Sequence, residues 1–361
     1  MHRKTIRLLL FIQLLSLITF GQDKQLTYYP ATDFGIRGQA KEIASQGFTR
    51  IDSVYHKNLS ESLQNLSKNT AGLYVEFQTN SSFIDLKWEL ETYKVLPNMT
   101  PLAVNGFDLY GLKDNRWQYV ASAPPRGQTN KVRVIKNLRS SSQRFRLYFP
   151  LYSQVKTLLI GIDEKADIAA TELIEARPKI LIYGSSITQG ASASRPGMAF
   201  ASILGRSLDA EVYNFGFSGS GKMESEMAEI LQKVKADVII LDCVPNPSPE
   251  QISQRTIPFV ELLRKRQPNV PILMVESVFR EAGNWDEKLG QRVRNQNNAF
   301  HNSYEQLLKK GYVQLYYIES DQLIGSDHQA TTDGVHFSDL GHYRMAKTLE
   351  KQLRTILHTT K

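Results

Sequence analysis

Lys179-Ile-Leu-Ile-Tyr-Gly-Ser-Ser-Ile-Thr-Gln-Gly190 is an apolar, β-branched run that closes abruptly on Gly184-Ser185-Ser186. Helix-compatible sequence follows from about Ala199 to Leu208, so the stretch predicts strand, tight turn and helix. This places Ser186 at the carboxyl end of a buried strand and near a helix N-terminus, where free backbone N–H groups favour negative charge. An isolated Gly-Ser-Ser reads as a serine N-cap. The rest of the chain makes Ser186 a candidate nucleophile.

Downstream, strand and helix patterns alternate. Strands are expected at 179 to 183, 211 to 215, 237 to 242, 271 to 276 and 312 to 318, with helical spacing between them, as in Met223, Met227, Ile230, Leu231 and Val234. Five such units predict a parallel sheet covered on both faces. From Tyr343 to Leu357 the residues Ala346, Leu349, Leu353, Ile356 and Leu357 form one apolar helical stripe, which predicts core packing.

Upstream the period is two. The runs 72 to 77, 83 to 88, 117 to 120, 131 to 135, 144 to 149 and 157 to 162 are separated by Asn, Gly, Pro and Ser clusters. That pattern predicts an antiparallel β-sandwich over residues 22 to 176, followed by the α/β domain from 177 to 361, with the boundary near Glu175-Ala-Arg-Pro178.

Functional residues of a doubly wound sheet lie beyond the carboxyl ends of its strands. Those ends carry Ser186, the loop Asn214-Phe-Gly-Phe-Ser-Gly-Ser-Gly221, the segment Asp242-Cys-Val-Pro-Asn246 and, past the fifth strand, Asp333-Gly-Val-His336. A serine hydroxyl needs a base, and His336 can serve; Asp333 can accept the other ring N–H. The backbone N–H groups of Ser186 and Gly219 and the side-chain amide of Asn246 can hold an oxyanion. Alternatives stay open at this point: Asp333-Gly334 also fits a simple turn, Asn246 a loop cap between two prolines, and Gly219 a tight turn. His328 is the reserve base, without the Asp-x-x-His spacing.

The order Gly184-Ser185-Ser186-Ile187, Ser218-Gly219, Asn246 and Asp333-x-x-His336 resembles the four sequence blocks of the SGNH, or GDSL-type, hydrolases. The resemblance covers roughly residues 178 to 358. Gly106-Phe-Asp-Leu-Tyr110 is similar to the Gly-x-Asp-Leu-Tyr signature of the β-domain that precedes some bacterial secreted SGNH esterases. The resemblance implies a three-layer α/β/α, flavodoxin-like domain behind a jelly-roll-like sandwich. It also implies a serine nucleophile at Ser186, oxyanion donors at Gly219 and Asn246, and an Asp333–His336 pair. Two positions depart from the family pattern: Ser185 stands where the name-giving motif has aspartate, and Val244-Pro-Asn-Pro247 replaces Gly-x-Asn-Asp. These bear on the outline of the pocket.

Three function classes follow. The first is a secreted serine esterase acting on short acyl, chiefly acetyl, esters, with a carbohydrate as the alcohol only because the two-domain resemblance implies it; the second is a lipid or thioester acylhydrolase. The third is an inactive glycan-binding protein. Arg195, Arg280 and Trp285 lie past strand ends as candidate substrate contacts, with surface or packing roles as their alternatives. Gly106 to Tyr110 is expected to form an internal β-turn with a buried Tyr110.

Composition narrows the rest. A 361-residue chain that is 41% hydrophobic can build two cores, which excludes disorder. Residues 1 to 21 combine Arg3, Lys4 and Arg7 with the apolar run Leu8 to Phe20, the pattern of a signal peptide, and the mature form is expected to have no membrane span. Removing those three cations lowers the formal charge from +8 to +5, with no dense basic run, so a nucleic-acid partner is not indicated. Cys243 is the single cysteine and excludes an intramolecular disulfide. No metal or cofactor motif occurs, so the expected partner is a small-molecule or glycan ester. The oligomeric state has no sequence signal.

Overall fold

The computed structural model describes residues 25–172 and 177–359. The expected signal segment lies outside them, as do residues 173–176 beside the expected domain boundary. Among the described residues no helix is long and apolar enough to cross a membrane.

The first part contains ten strands: β1 Leu26–Pro30, β2 Ile36–Arg37, β3 Tyr74–Thr79, β4 Phe83–Leu90, β5 Phe107–Lys113, β6 Arg116–Ala123, β7 Thr129–Lys136, β8 Gln143–Tyr148, β9 Val155–Asp163 and β10 Ile168–Ala170. They form two antiparallel sheets, β1-β9-β4-β7 and β10-β3-β8-β5-β6, with β2 added on β3. Strand alternation builds the core between them: Ile84, Leu86, Trp88 and Leu90 of β4 share one buried cluster with Val75, Phe77, Leu109, Phe145 and Leu147 from the other sheet. The antiparallel sandwich is thus the observed architecture.

The expected turn at Gly106 to Tyr110 is instead the start of β5, and Tyr110 is buried as expected. The reason is that Phe107-Asp-Leu-Tyr alternates correctly, with Phe107 and Leu109 entering the sandwich core. Gly106 ends a short helix, Pro101–Asn105; a Cβ there would lie 2.6 Å from the carbonyl oxygen of Ala123.

The second part is a five-stranded parallel sheet of β11 Lys179–Gly184, β12 Glu211–Gly216, β13 Val238–Asp242, β14 Ile272–Val275 and β15 Leu315–Ile318. Its order, β12-β11-β13-β14-β15, is the 2-1-3-4-5 arrangement of flavodoxin-like sheets. Helices cover both faces. Leu181 and Tyr183 of β11 face one core shared with Met227, Ile230 and Leu231, while Ile180 and Ile182 face the other, filled by the terminal-helix stripe Ala346, Leu349, Leu353 and Ile356.

The two domains meet through an apolar cluster, in which Ala103, Val104 and Leu151 pack on Ala191, Ala193 and Ala199, and across a polar face. Glu76, Asp108 and Arg146 point away from the sandwich core yet are fully buried, because the α/β domain covers that sheet. Arg146 pairs with Glu76 and stacks on Tyr74 and Trp117, and Arg177 reaches Glu76 at 3.1 Å. Burial would push the Glu76 carboxyl up, but the two guanidinium charges outweigh it and hold it below the usual range. Such a pair adds little net stability, whereas removing one partner costs about 3–5 kcal/mol. The charged cluster therefore ties the two domains together at one buried point of their contact.

Candidate active site

Ser186 reaches the rim because Gly184 permits a sharp exit from β11. A Cβ at Gly184 would sit 2.1 Å from Thr188 Oγ1 and 2.3 Å from the carbonyl of Asp242. β11 lies between β12 and β13, so its end is the switch point where the winding reverses. A four-residue helix, Ser186–Gln189, starts there and ends at Gly190 in the left-handed region. Ser185 is its N-cap, accepting from the Ile187 N–H. The capping role thus falls to Ser185, and the Ser186 hydroxyl is released from it.

That hydroxyl lies 2.9 Å from His336 Nε2. His336 Nδ1 in turn lies 2.8 Å from Asp333 Oδ2, while Asp333 Oδ1 accepts the backbone N–H groups of Val335 and His336. The turn reading and the histidine-partner reading of Asp333 are both realised, one per carboxylate oxygen. Burial alone would raise the Asp333 pKa, but hydrogen bonds from the His336 backbone and ring and from Val335 outweigh it and bring it down to about 2. The carboxylate is therefore charged throughout the neutral range.

In the loop after β12, Gly219 adopts φ 70°, a conformation open to glycine. The N–H groups of Ser186 and Gly219 have no hydrogen-bond partner among the described residues. Asn246 donates one side-chain N–H to the carbonyl of Ser220, in the same loop as Gly219. Its loop is held from behind: Arg280 donates to the carbonyl of Pro245 at 2.7 Å and Gln296 to that of Pro247 at 2.6 Å. The structure thus joins the loops of Gly219 and Asn246.

The three candidate substrate contacts fall in different places. Arg195 binds Asp108 at 2.9 Å and Tyr110 at 2.5 Å and stacks on Tyr119, so it is a clasp between the domains. Arg280 braces the Asn246 loop. Trp285 is 92% exposed, which removes its packing alternative. His328 pairs with Glu281 at 2.8 Å, and it is His336 that contacts the serine.

Sequence reading missed several contributors. Asp242 is buried beneath the serine turn and accepts from Thr188 Oγ1 at 2.6 Å; burial raises its pKa to about 7. Its signal was a charged residue ending the apolar run Val238-Ile-Ile-Leu241. Tyr152 donates to the Ser186 carbonyl at 3.4 Å. Asn98, from the β-domain, donates to Asp333 Oδ2 at 3.1 Å and lies 3.2 Å from His336 Nδ1. Pro97-Asn98 signals only a turn.

Residues 177–354 match the GDSL-like Lipase/Acylhydrolase family, and residues 26–168 match the N-terminus of Esterase_SGNH_hydro-type. A crystal structure from Bacteroides ovatus ATCC 8483, described as a GDSL-like lipase, is 41% identical over 92% of this chain and 98% of its own, with a TM-score of 0.89. The chain belongs to the GDSL-like lipase/acylhydrolase family. Two more distant structures share the fold of this GDSL-like chain. A salicylyl-acyltransferase from a tetracycline biosynthetic pathway is 17% identical over 93% of this chain and 96% of its own, TM-score 0.71. A family two carbohydrate esterase from Cellvibrio japonicus is 14% identical over 93% and 99%, TM-score 0.61. None of the curated proteins matches the chain's sequence. Within the GDSL-like family, the departure at Ser185 has a physical account: serine, like aspartate, is a strong N-cap acceptor, and here it caps the Ser186 helix.

Proposed function

We propose that the protein is an exported serine esterase that removes a short acyl group, acetyl above all, from a carbohydrate. The observation that carries this reading is the continuous relay Ser186 Oγ–His336 Nε2 and His336 Nδ1–Asp333 Oδ2, at 2.9 and 2.8 Å. His336 takes the serine proton as Oγ attacks the ester carbonyl. The acyl-enzyme forms when the alcohol leaves with that proton, and a water activated by the same imidazole releases the acid. The oxyanion is held by the free N–H groups of Ser186 and Gly219 and by the second N–H of Asn246. Asp333, ionised at neutral pH, stabilises the transient imidazolium.

Carbohydrate as the alcohol is supported by the rim around Asp333-Gly334. Glu281 donates its backbone N–H to the Gly334 carbonyl, which brings the turn bearing exposed Trp285 beside the pair. Asn98 likewise brings the segment that carries Val95, 77% exposed, to Asp333. Exposed apolar side chains within a few residues of this polar rim suit the apolar face of a sugar ring. The fold shared with a family two carbohydrate esterase is consistent with this. Export rests on the basic-then-apolar pattern of residues 1 to 21.

The test is acetate release from a panel of acetylated glycans, with Ser186→Ala as control. At least one acetylated glycan should be turned over, and p-nitrophenyl acetate should be preferred to octanoate. A preference for the long chain would favour a lipid acylhydrolase.

Asn246→Ala should lower kcat by roughly 10²-fold with a smaller change in KM, the cost of one oxyanion donor. A change confined to KM would make Asn246 a substrate or loop residue.

A further inference from the structure

We propose that the β-domain is part of the active site, and that Asn98 is its contribution: a positioning residue that orients the Asp333 carboxylate and limits how strongly it holds a proton on His336. This rests on the esterase reading above.

Asn98 is held for such a task. Its own carbonyl accepts from Ser192 Oγ at 2.9 Å, and two residues on, Thr100 Oγ1 donates to the Ser194 carbonyl at 2.6 Å. The segment 98–100 is thus pinned on the loop 192–194 that follows the Ser186 helix. That loop is tied in turn to the helix after His336, since Ser194 bonds Asp339 through both N–H and Oγ, at 2.9 and 2.6 Å. The Asn98 amide then donates to Asp333 Oδ2, the same oxygen that faces the ring. One oxygen shared between two donors gives each a weaker bond than it would receive alone, so the amide tempers the pull of the carboxylate on the imidazolium. Its N–H dipole also points positive charge at Nδ1 from 3.2 Å. Both effects oppose the pull of the Asp333 carboxylate on the ring N–H.

The other titratable groups around His336 are fixed in type. Asp333 comes from its own turn, Asp339 and His342 from the following helix, and the Glu281–His328 pair from the turn against Gly334. His342 is held neutral by burial, with a pKa near 4. None of these groups comes from the β-domain, whose contact with the pair is the neutral amide of Asn98.

The experiment measures p-nitrophenyl acetate hydrolysis against pH for the full chain, Asn98→Ala and Asn98→Asp, with thermal melting to confirm that each is folded. For Asn98→Ala the acid limb of kcat/KM should move to higher pH by roughly one unit, the scale of one hydrogen bond to a charged group. The plateau kcat should fall by about 10-fold, as for loss of an orienting outer contact, and KM should stay within about twofold. Asn98→Asp sets a second carboxylate against the pair and should move the limb further in the same direction. Superimposable profiles for all three proteins would overturn the proposal. So would a rise in KM with an unmoved limb, or a shift in Asn98→Asp alone, which would report only the introduced charge. His336→Ala separates the two levels: if it keeps full activity the Ser186–His336 mechanism of the esterase reading fails, and if the unaltered protein turns over no ester the esterase reading itself fails, whereas if His336→Ala is dead and the Asn98 profiles are unchanged only the role of Asn98 fails.

Discussion

Ser186→Ala and His336→Ala are each expected to lower kcat on the order of 10⁶-fold, and the double mutant to be little worse than either single one. The hydroxyl and Nε2 are 2.9 Å apart and handle one proton. Without the base the hydroxyl is not activated; without the hydroxyl the base has nothing to activate. Residual turnover comes from the oxyanion donors, which neither mutation touches. Neither variant should lose much stability, since Ser185 caps the helix in place of Ser186 and the Asp333 turn is built from backbone donors. Steady-state rates on an acetyl ester, with active-site titration of the folded fraction, check this. Losses that multiply in the double mutant would show that the two residues do not share a step.

Asp333→Asn should cost up to about 10⁴-fold in kcat, and the geometry gives the reason. Oδ1 already accepts the N–H groups of Val335 and His336. In the amide variant, the carbonyl oxygen must stay on that side, because an NH₂ there would face two donors. The NH₂ is then turned toward Nδ1. A ring facing a donor must carry its proton on Nε2, the wrong tautomer for accepting one from Ser186. The backbone turn therefore dictates the orientation of the new amide and blocks the base. The melting temperature should change little, since the Oδ1 bonds survive. Near-normal kcat in the folded variant would reduce the triad to a Ser-His dyad.

The elements that periodicity describes were legible. Alternation in β4 and continuous apolarity in β11 and β13 report which faces meet a core, and burial of apolar surface is the largest favourable term in folding. The same logic placed Ser186, the Asp333-x-x-His336 turn and the Asn246 loop on one rim, since each lies a few residues from a strand end or turn that the local sequence marks. Gly106 to Tyr110 was misread as a turn because glycine and aspartate are turn formers, and only the partner strands β6 and β8 show that the segment is extended.

By itself the sequence determined the two architectures, the order of the strands' functional ends, and a serine, histidine and aspartate of suitable chemistry. Only the tertiary structure decided that the polar faces of β3, β5 and β8 are buried, that Arg195 serves the domain interface, and that Asn98 touches Asp333 across 235 residues of chain. A period-two pattern reports polar against apolar, and a polar face reads as solvated. It is the docking of a second domain, through charge pairs and hydrogen bonds together with apolar contacts such as those of Val104 and Leu151 with Ala193 and Ala199, that puts Glu76, Arg146 and Asp108 inside, and no short-range signal encodes that.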